Sequence, residues 1–163
     1  MSRFKLAQLN VAKARGPMDS PVMAEFVANL ERVNALAEEA QGFVWRLKTD
    51  AGDATSLRPL GEDMLVNMSV WDSPNDLRNF MFRTAHVEIM KRRREWFERM
   101  EEAYAVLWWV PAGHIPNLDE AIFKLQRLRA VGPTPEAFTL RRAFPPPGEQ
   151  VEEVPMKQEP LAR

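Results

Sequence analysis

The sequence predicts an α+β fold, an antiparallel sheet with helices in the order β-α-β-β-α-β. Three observations predict it. The chain has 163 residues, 45% of them hydrophobic, which is the length and apolar content of one domain with its own core. Four segments have the apolar residues of strands, and two longer segments have the three-to-four-residue apolar spacing of helices. Their order is that of a split βαβ unit, the ferredoxin-like arrangement.

The first strand and the first helix have local signals. Residues 4–14 alternate and predict a strand whose second face carries the amides Gln8 and Asn10. A helix is then expected to begin at Ser20, which precedes a proline, and to end at Gly42.

Two further strands follow, separated by a loop. Residues 43–49, 50–63 and 64–71 are predicted as strand, loop and strand. In the first of these strands, strict alternation would place Phe43, Trp45 and Leu47 on one face.

The segment 64–111 is the centre of the sequence, because four of the five tryptophans lie in it. It predicts a strand, a long helix and a second strand. Ser73 before a proline, with Asp76 three residues on, predicts the helix start. An apolar stripe then continues as far as Met100, longer than a typical globular helix, so a break is expected near 83–84.

The C-terminal part predicts an additional helix and a short strand. The helix spans 117–131, with Asn117 as its cap and Glu120 as the capping-box acid. Residues 137–142 predict a short edge strand, ended by three prolines. Residues 1–147 therefore form the predicted domain, and 148–163, rich in Glu and Pro, a disordered tail.

Composition excludes several classes of function. With 22 basic and 23 acidic residues, the net charge of −1 disfavours a nucleic-acid binder. No cysteine is present, which removes disulfides and thiolate sites and is typical of a cytoplasmic protein. Neither a membrane helix nor a signal peptide is expected. Ligands for zinc or calcium do not occur at usable spacing, so no metal site is predicted.

Both faces of strands two and four carry aromatic or apolar residues, as at the adjacent Trp108 and Trp109. A sheet buried on both sides in so short a chain predicts a partner, and a homodimer that packs sheet on sheet is the simplest.

Several motifs point to a known family. The segments SVW, RTAHVE, RRREWF, LWWVPAGH and AFTLRRAFPPP lie between residues 69 and 147. They resemble a bacterial family of unknown function in the dimeric α/β-barrel superfamily, over residues 6–147. This superfamily is similar in fold to cofactor-independent antibiotic-biosynthesis monooxygenases, to haem-dependent spheroidene monooxygenase and to haem-binding chlorite dismutases. The resemblance implies a dimeric barrel and either no cofactor or haem.

His86 is the first candidate for chemistry, since it lies at the edge of the helix stripe just after the expected break. Facing a cavity, it could serve as a general base or, as the resemblance implies, as an axial haem ligand. The alternative is a histidine with a structural hydrogen bond at the break or at an interface.

Neutral polar groups next to an aromatic residue form the second candidate. Asn67, Ser69 and Trp71 share one strand face, which suits an organic ligand with a few oxygens. Asn67 is assigned with His86 to catalysis, and Trp71 to the wall. The alternative is that these amides bond across a dimer interface or to water.

Four more residues are predicted to bind substrate. Arg93 shares the side of Trp96 and could hold a carboxylate, and Trp96 would complete the wall. Arg83 lies beside the expected break, and His114 follows the fourth strand, where it would reach the cavity mouth or instead cap the next turn.

These residues support three functions. The first is a monooxygenase-like enzyme that acts on a small hydrophobic molecule between sheet and central helix. The second is a haem protein with His86 as ligand, and the third is a dimer that binds a small molecule without turnover.

Overall fold

The computed structural model describes residues 3–149. It contains strands and helices in the predicted order. The strands are β1 (Phe4–Ala14), β2 (Phe43–Arg46), β3 (Met64–Trp71), β4 (Phe97–Glu98) and β5 (Ala105–Pro111). The helices are α1 (Ala24–Glu39), α2 (Pro74–Arg83), α3 (His86–Lys91), α4 (Arg93–Trp96) and α5 (Leu118–Val131), with a 3₁₀ turn at Pro21–Met23 before α1.

The strands form one antiparallel sheet in the order β2-β3-β1-β5. The first strand pairs with one strand on each side, β3 and β5. Gln8, for example, lies opposite Ser69 on β3 and opposite Leu107 on β5. The two-residue β4 extends the sheet where β1 ends, at Ala14. This is the ferredoxin-like order, and the predicted α+β fold is confirmed.

The strand faces separate into two cores. Leu6 and Trp71 pack with α1 and α2 on one side of the sheet, while Leu9, Met68 and Trp108 pack with α5 on the other. The predicted alternation of β1 and β3 is therefore confirmed.

The second strand departs from its predicted alternation. A β-bulge falls between Phe43, which pairs with Trp71, and Trp45, which pairs with Val70. The inserted residue reverses the side-chain direction. Phe43 therefore joins the core under α1 and α2, and Trp45 the core under α5, so their predicted common face is wrong.

The second face of the sheet is covered by the chain itself. Ala121, Leu125 and Leu128 of α5 pack against it. Strand residues there such as Val70 and Val106 are at most 1% exposed without a partner chain. The inference that only a second copy buries this face is corrected, because the additional helix supplies the cover.

The central helix is broken more often than predicted. The expected break is confirmed at Thr84, where the chain is extended. A second break at Arg92 separates α3 from α4, and the helix ends at Trp96 instead of continuing to Met100. The next residue, Phe97, already pairs with β1.

The predicted short strand 137–142 is reduced to two isolated bridges. Phe138 and Leu107 exchange backbone hydrogen bonds of 2.8 Å, and Ala137 forms a local bridge with Thr134. The predicted disordered tail lies, from residue 150 on, outside the described residues. Within the described range, no helix is long and apolar enough to cross a membrane.

Candidate functional site

A cavity of about 600 Å³ lies between the sheet and the helices α1, α2 and α3. It exists because α1 packs loosely on the sheet, with Ala37 as its single buried residue. The lining combines apolar residues with a band of amides and a histidine, the usual composition of a small-molecule pocket.

The cavity floor is formed by rows of side chains that run across neighbouring strands of the sheet. A row near the base of α2 joins Phe43, Trp71, Leu6 and Trp109 across the sheet, and Trp71 is the one of these four that lines the cavity. The next two rows are polar: Arg46, Ser69 and Gln8, then Asn67 and Asn10. The floor therefore changes from aromatic to amide along the strands.

The polar rows form one hydrogen-bonded network. Gln8 Nε2 donates to Asn67 Oδ1 at 2.8 Å and to Ser69 Oγ at 2.7 Å. Ser69 Oγ also accepts from Trp71 Nε1 at 2.8 Å, and Asn10 Nδ2 donates to Gln8 Oε1 at 3.3 Å. These bonds fix the side chains against the sheet, so the floor is preorganised.

Two polar groups of the network point away from it. Among residues 3–149, neither the Asn67 amide nitrogen nor the Asn10 carbonyl oxygen has a hydrogen-bond partner. Asn67 is exposed even though it lies on the inner strand β3, because the cavity opens above it. The floor thus offers a ligand one amide donor and one amide acceptor.

His86 lines the helical wall of the same cavity. Its ring lies 4.8 Å from the ring of Phe80, which stacks on Trp71 at 5.2 Å. Its Nδ1 lies 3.4 Å from the Met81 carbonyl oxygen, so this nitrogen carries the proton and the lone pair is on Nε2. Burial lowers the pKa of His86, and the imidazole is neutral at pH 7.

The helix break positions this ring. The Thr84 hydroxyl donates to the Phe80 carbonyl at 2.6 Å and accepts from the backbone N–H of His86 at 3.2 Å. The threonine thus ends α2 and holds the first residue of α3. The sequence analysis located the break but missed this role of Thr84.

Arg93 lies at the opposite end of the same helical wall. Its guanidinium carbon is 4.4 Å from the centre of the Tyr104 ring, and Nη1 donates to the Tyr104 hydroxyl at 3.1 Å. Both residues line the cavity. Tyr104 was missed because the sequence shows only a strand start there.

The structure brings four of the seven predicted site residues together and leaves three outside the lining. His86, Asn67, Trp71 and Arg93 share the cavity. Arg83, the last residue of α2, is exposed. Trp96 packs below α1 against Phe26, 5.7 Å away, in a separate core.

His114 lies near the start of α5, away from the cavity. Its Nε2 is 2.7 Å from Glu120 Oε1, while Glu120 Oε2 accepts from Trp108 Nε1 at 2.9 Å. The predicted capping of α5 by Asn117 is confirmed, since its side chain accepts from the N–H of Glu120. The carboxylate of Glu120, the predicted capping-box acid, bonds to the side chains of His114 and Trp108.

A haem, one of the two cofactor options, fits the lining poorly. His86 Nε2 would supply one axial ligand, but the unpaired amide groups of Asn67 and Asn10 would face an apolar macrocycle. A buried polar group left without a partner costs about 1–3 kcal/mol. Within residues 3–149, no three histidine or acidic side chains cluster to hold a metal ion.

The fold is that of a ferredoxin-like α+β protein, with a cavity between the sheet and the helices whose floor is a hydrogen-bonded amide network. The chain belongs to the DUF3291 family, a domain of unknown function, whose model matches residues 5–154. Among curated proteins, a comparison finds no significant match.

Two solved structures are similar to this chain. One is a protein of unknown function from Nitrosomonas europaea, with 15% identity and a TM-score of 0.43, over 71% of this chain and 97% of that one. The other is SnoaB, a cofactor-independent oxygenase from Streptomyces nogalater, with 15% identity and a TM-score of 0.44, over 70% and 97%. Similarity at this level does not extend to function.

Proposed function

We propose that the protein is a monooxygenase-like enzyme that acts on a small, largely apolar organic molecule in the cavity. The observation that supports this most is that His86, with its Nε2 lone pair unpaired among the described residues, lines the same cavity as the unpaired amide groups of Asn67 and Asn10. A base and an oxyanion donor around one apolar space are what deprotonation next to a carbonyl requires.

The reaction that these groups support starts with proton transfer. His86 Nε2 takes a proton from a methylene group activated by a neighbouring carbonyl, and the Asn67 amide N–H donates to the enolate oxygen. The enolate is electron-rich enough to react with O₂ directly. One oxygen atom becomes a new carbonyl, the methylene loses its two hydrogens, and the other oxygen atom leaves as water, so no external reductant is consumed.

The rest of the lining would hold the hydrocarbon part of the substrate. Trp71 and Phe80 stack on each other and are almost fully buried, so they make that end of the lining apolar, and Ile89 adds an aliphatic side chain to the helical wall. The burial of apolar rings against such a lining is favourable. A substrate with fused aromatic rings and one or two oxygens therefore matches the site.

Oxygen uptake tests the proposal. Anthrone, an aromatic ketone with an activated methylene, serves as the probe, and uptake is measured for the unmodified protein and for His86→Gln. We expect a loss of 10²-fold or more in rate, in the range for removal of a general base. His114→Gln, the matched control, changes the histidine on the other side of the sheet and should retain the rate. Equal uptake in both variants and in buffer would remove the enzymatic proposal.

The second candidate is a binding protein without turnover, because the preorganised amide floor serves binding as well as catalysis. Calorimetry distinguishes the two. Tight binding of hydroxyaromatic compounds by a protein that consumes no oxygen favours this candidate. A hemin titration that produced a Soret band, abolished in His86→Ala, would instead establish the haem alternative.

A further inference from the structure

Two arginines line the cavity, Arg46 and Arg93, and Arg93 is the one that has no acidic partner among the described residues. Arg92 pairs with Glu25 and Glu95, and Arg46, across the cavity, pairs with Glu38 at 2.8 Å. Within residues 3–149, no carboxylate lies within ion-pair distance of Arg93. Its charge is therefore available to a ligand.

The guanidinium is also held in place. Stacking on Tyr104 and the bond to its hydroxyl occupy one face and one N–H, which leaves most of the five donors free. The Tyr104 carbonyl accepts from the N–H of Val11 at 2.8 Å, and the next residue, Ala105, lies opposite Asn10. The cation is thus fixed beside the amide end of the floor.

The remaining charge of the lining is at the other edge. Asp53 is the acidic residue among those that line the cavity, and it belongs to the loop after β2. The strands β2 and β5 are separated by three strand spacings, about 14 Å. An anion beside Arg93 would therefore meet an attractive charge without a nearby repulsive one.

We propose, building on the cavity function above, that Arg93 and Tyr104 form a subsite for a carboxylate group of the ligand. The planar fork of a guanidinium pairs with a carboxylate through two parallel hydrogen bonds. The substrate class is then an apolar acid, with its reactive end at His86 and its carboxylate at Arg93.

The helical wall sets the length of this acid. His86 begins α3 and Arg93 follows the break at the end of it, so the two are separated by about the length of this six-residue helix, roughly 9 Å. Ile89 and Met90, which lie between them, also line the cavity. The ligand therefore needs an apolar middle about as long as two fused aromatic rings between its two polar ends.

Paired probes test the subsite. The binding of 6-hydroxy-2-naphthoic acid and of its methyl ester is measured by calorimetry. The two share the ring and the hydroxyl and differ in charge. We expect the acid to bind at least tenfold more tightly than the ester, the effect of one charge-assisted hydrogen bond pair.

Three variants locate the effect. Arg93→Gln should remove the preference for the acid and keep the affinity for the ester, and Tyr104→Phe should reduce the preference. Arg94→Gln, the matched control, changes the exposed neighbouring arginine and should keep the preference. Equal binding of acid and ester by the unmodified protein, or a preference that survives Arg93→Gln, would overturn the subsite.

The subsite and the enzymatic proposal fail separately. His86→Gln should retain the tenfold preference, since the base is not needed for binding. A preserved preference without oxygen uptake supports the subsite and rejects the oxygenase. Oxygen uptake with equal binding of acid and ester supports the oxygenase and rejects the subsite.

Discussion

The imidazole of His86 lies in the first turn of α3, where burial lowers its pKa from the ordinary value of 6.5. A general base must be unprotonated, so the rate at limiting substrate should rise with pH and level off. We expect the apparent pKa of this rise to lie below 6.5. A pH profile of oxygen uptake between pH 5 and 8 measures it, and a midpoint above pH 7 would contradict His86 as the base.

The same burial affects stability. The unfolded chain takes up a proton near pH 6.5, whereas the folded chain resists protonation of His86 until a lower pH. This contribution to the free energy of unfolding is complete above pH 6.5 and is lost as the pH falls towards the folded pKa. Urea unfolding at pH 7.0 and 5.5 should therefore show a smaller pH effect in His86→Gln. An unchanged pH effect would mean that the ring is solvated.

The strand residues of the site were predicted better from the sequence than those of the broken helix. Asn67 and Trp71 were placed on one face because strand alternation determines side-chain direction. Trp96 was misplaced because the break near Thr84 was predicted but the second break, at Arg92, was not. Tyr104 was missed because its role depends on Arg93, a contact across 11 residues that no periodicity shows.

At the scale of elements, the break between α2 and α3 depends on one hydroxyl. Thr84→Val keeps the shape of the side chain but removes its bonds to Phe80 and His86. We expect a loss of about 0.5–1.5 kcal/mol in stability for a typical hydrogen bond. The rate of oxygen uptake should fall more than ligand affinity does. Thr84→Ser, which retains the hydroxyl, should restore the rate, and failure to do so would argue against a positioning role.

The junction between α1 and β2 requires glycine. Gly42 has φ of +82°, and a Cβ atom there would lie 2.2 Å from the Asp76 carboxylate oxygen, at the start of α2. Gly42→Ala should lower the free energy of unfolding by about 1–3 kcal/mol through backbone strain alone. Gly52→Ala is the control, since its φ is +89° but nothing lies within 4 Å. Equal losses in the two variants would mean that the Asp76 contact adds nothing.

Most of the elements could be predicted because each is marked locally. The Ser73 cap and the Asn117 cap accept from the backbone N–H three residues on, as their sequences indicated. The β-bulge at Phe43 could not be predicted, because one inserted residue leaves the composition of the strand unchanged. The segment 137–142 forms only isolated bridges because Phe138 pairs with Leu107, a distant residue, while Ala137 pairs with Thr134 in a local turn.

At the scale of the whole molecule, the sheet has helices on both faces. The apolar residues on both sheet faces therefore no longer indicate a homodimer. The homodimer stays a prediction, and it rests on the superfamily resemblance. Size-exclusion chromatography with light scattering should give twice the chain mass of 18.7 kDa. Phe123, 60% exposed on the outer face of α5, is the residue to change. Phe123→Asp should yield monomers if α5 carries the contact, and a monomeric unmodified protein would reject the dimer.

The separation of the two cores also has a spectroscopic consequence. Trp71 lines the cavity, whereas Trp108 lies across the sheet with its indole nitrogen bonded to Glu120. A ligand that fills the cavity should change the fluorescence of Trp71, while the other four indoles, which do not line the cavity, contribute a constant background. The molecule therefore contains its own reporter of occupancy, and titrations need no added dye.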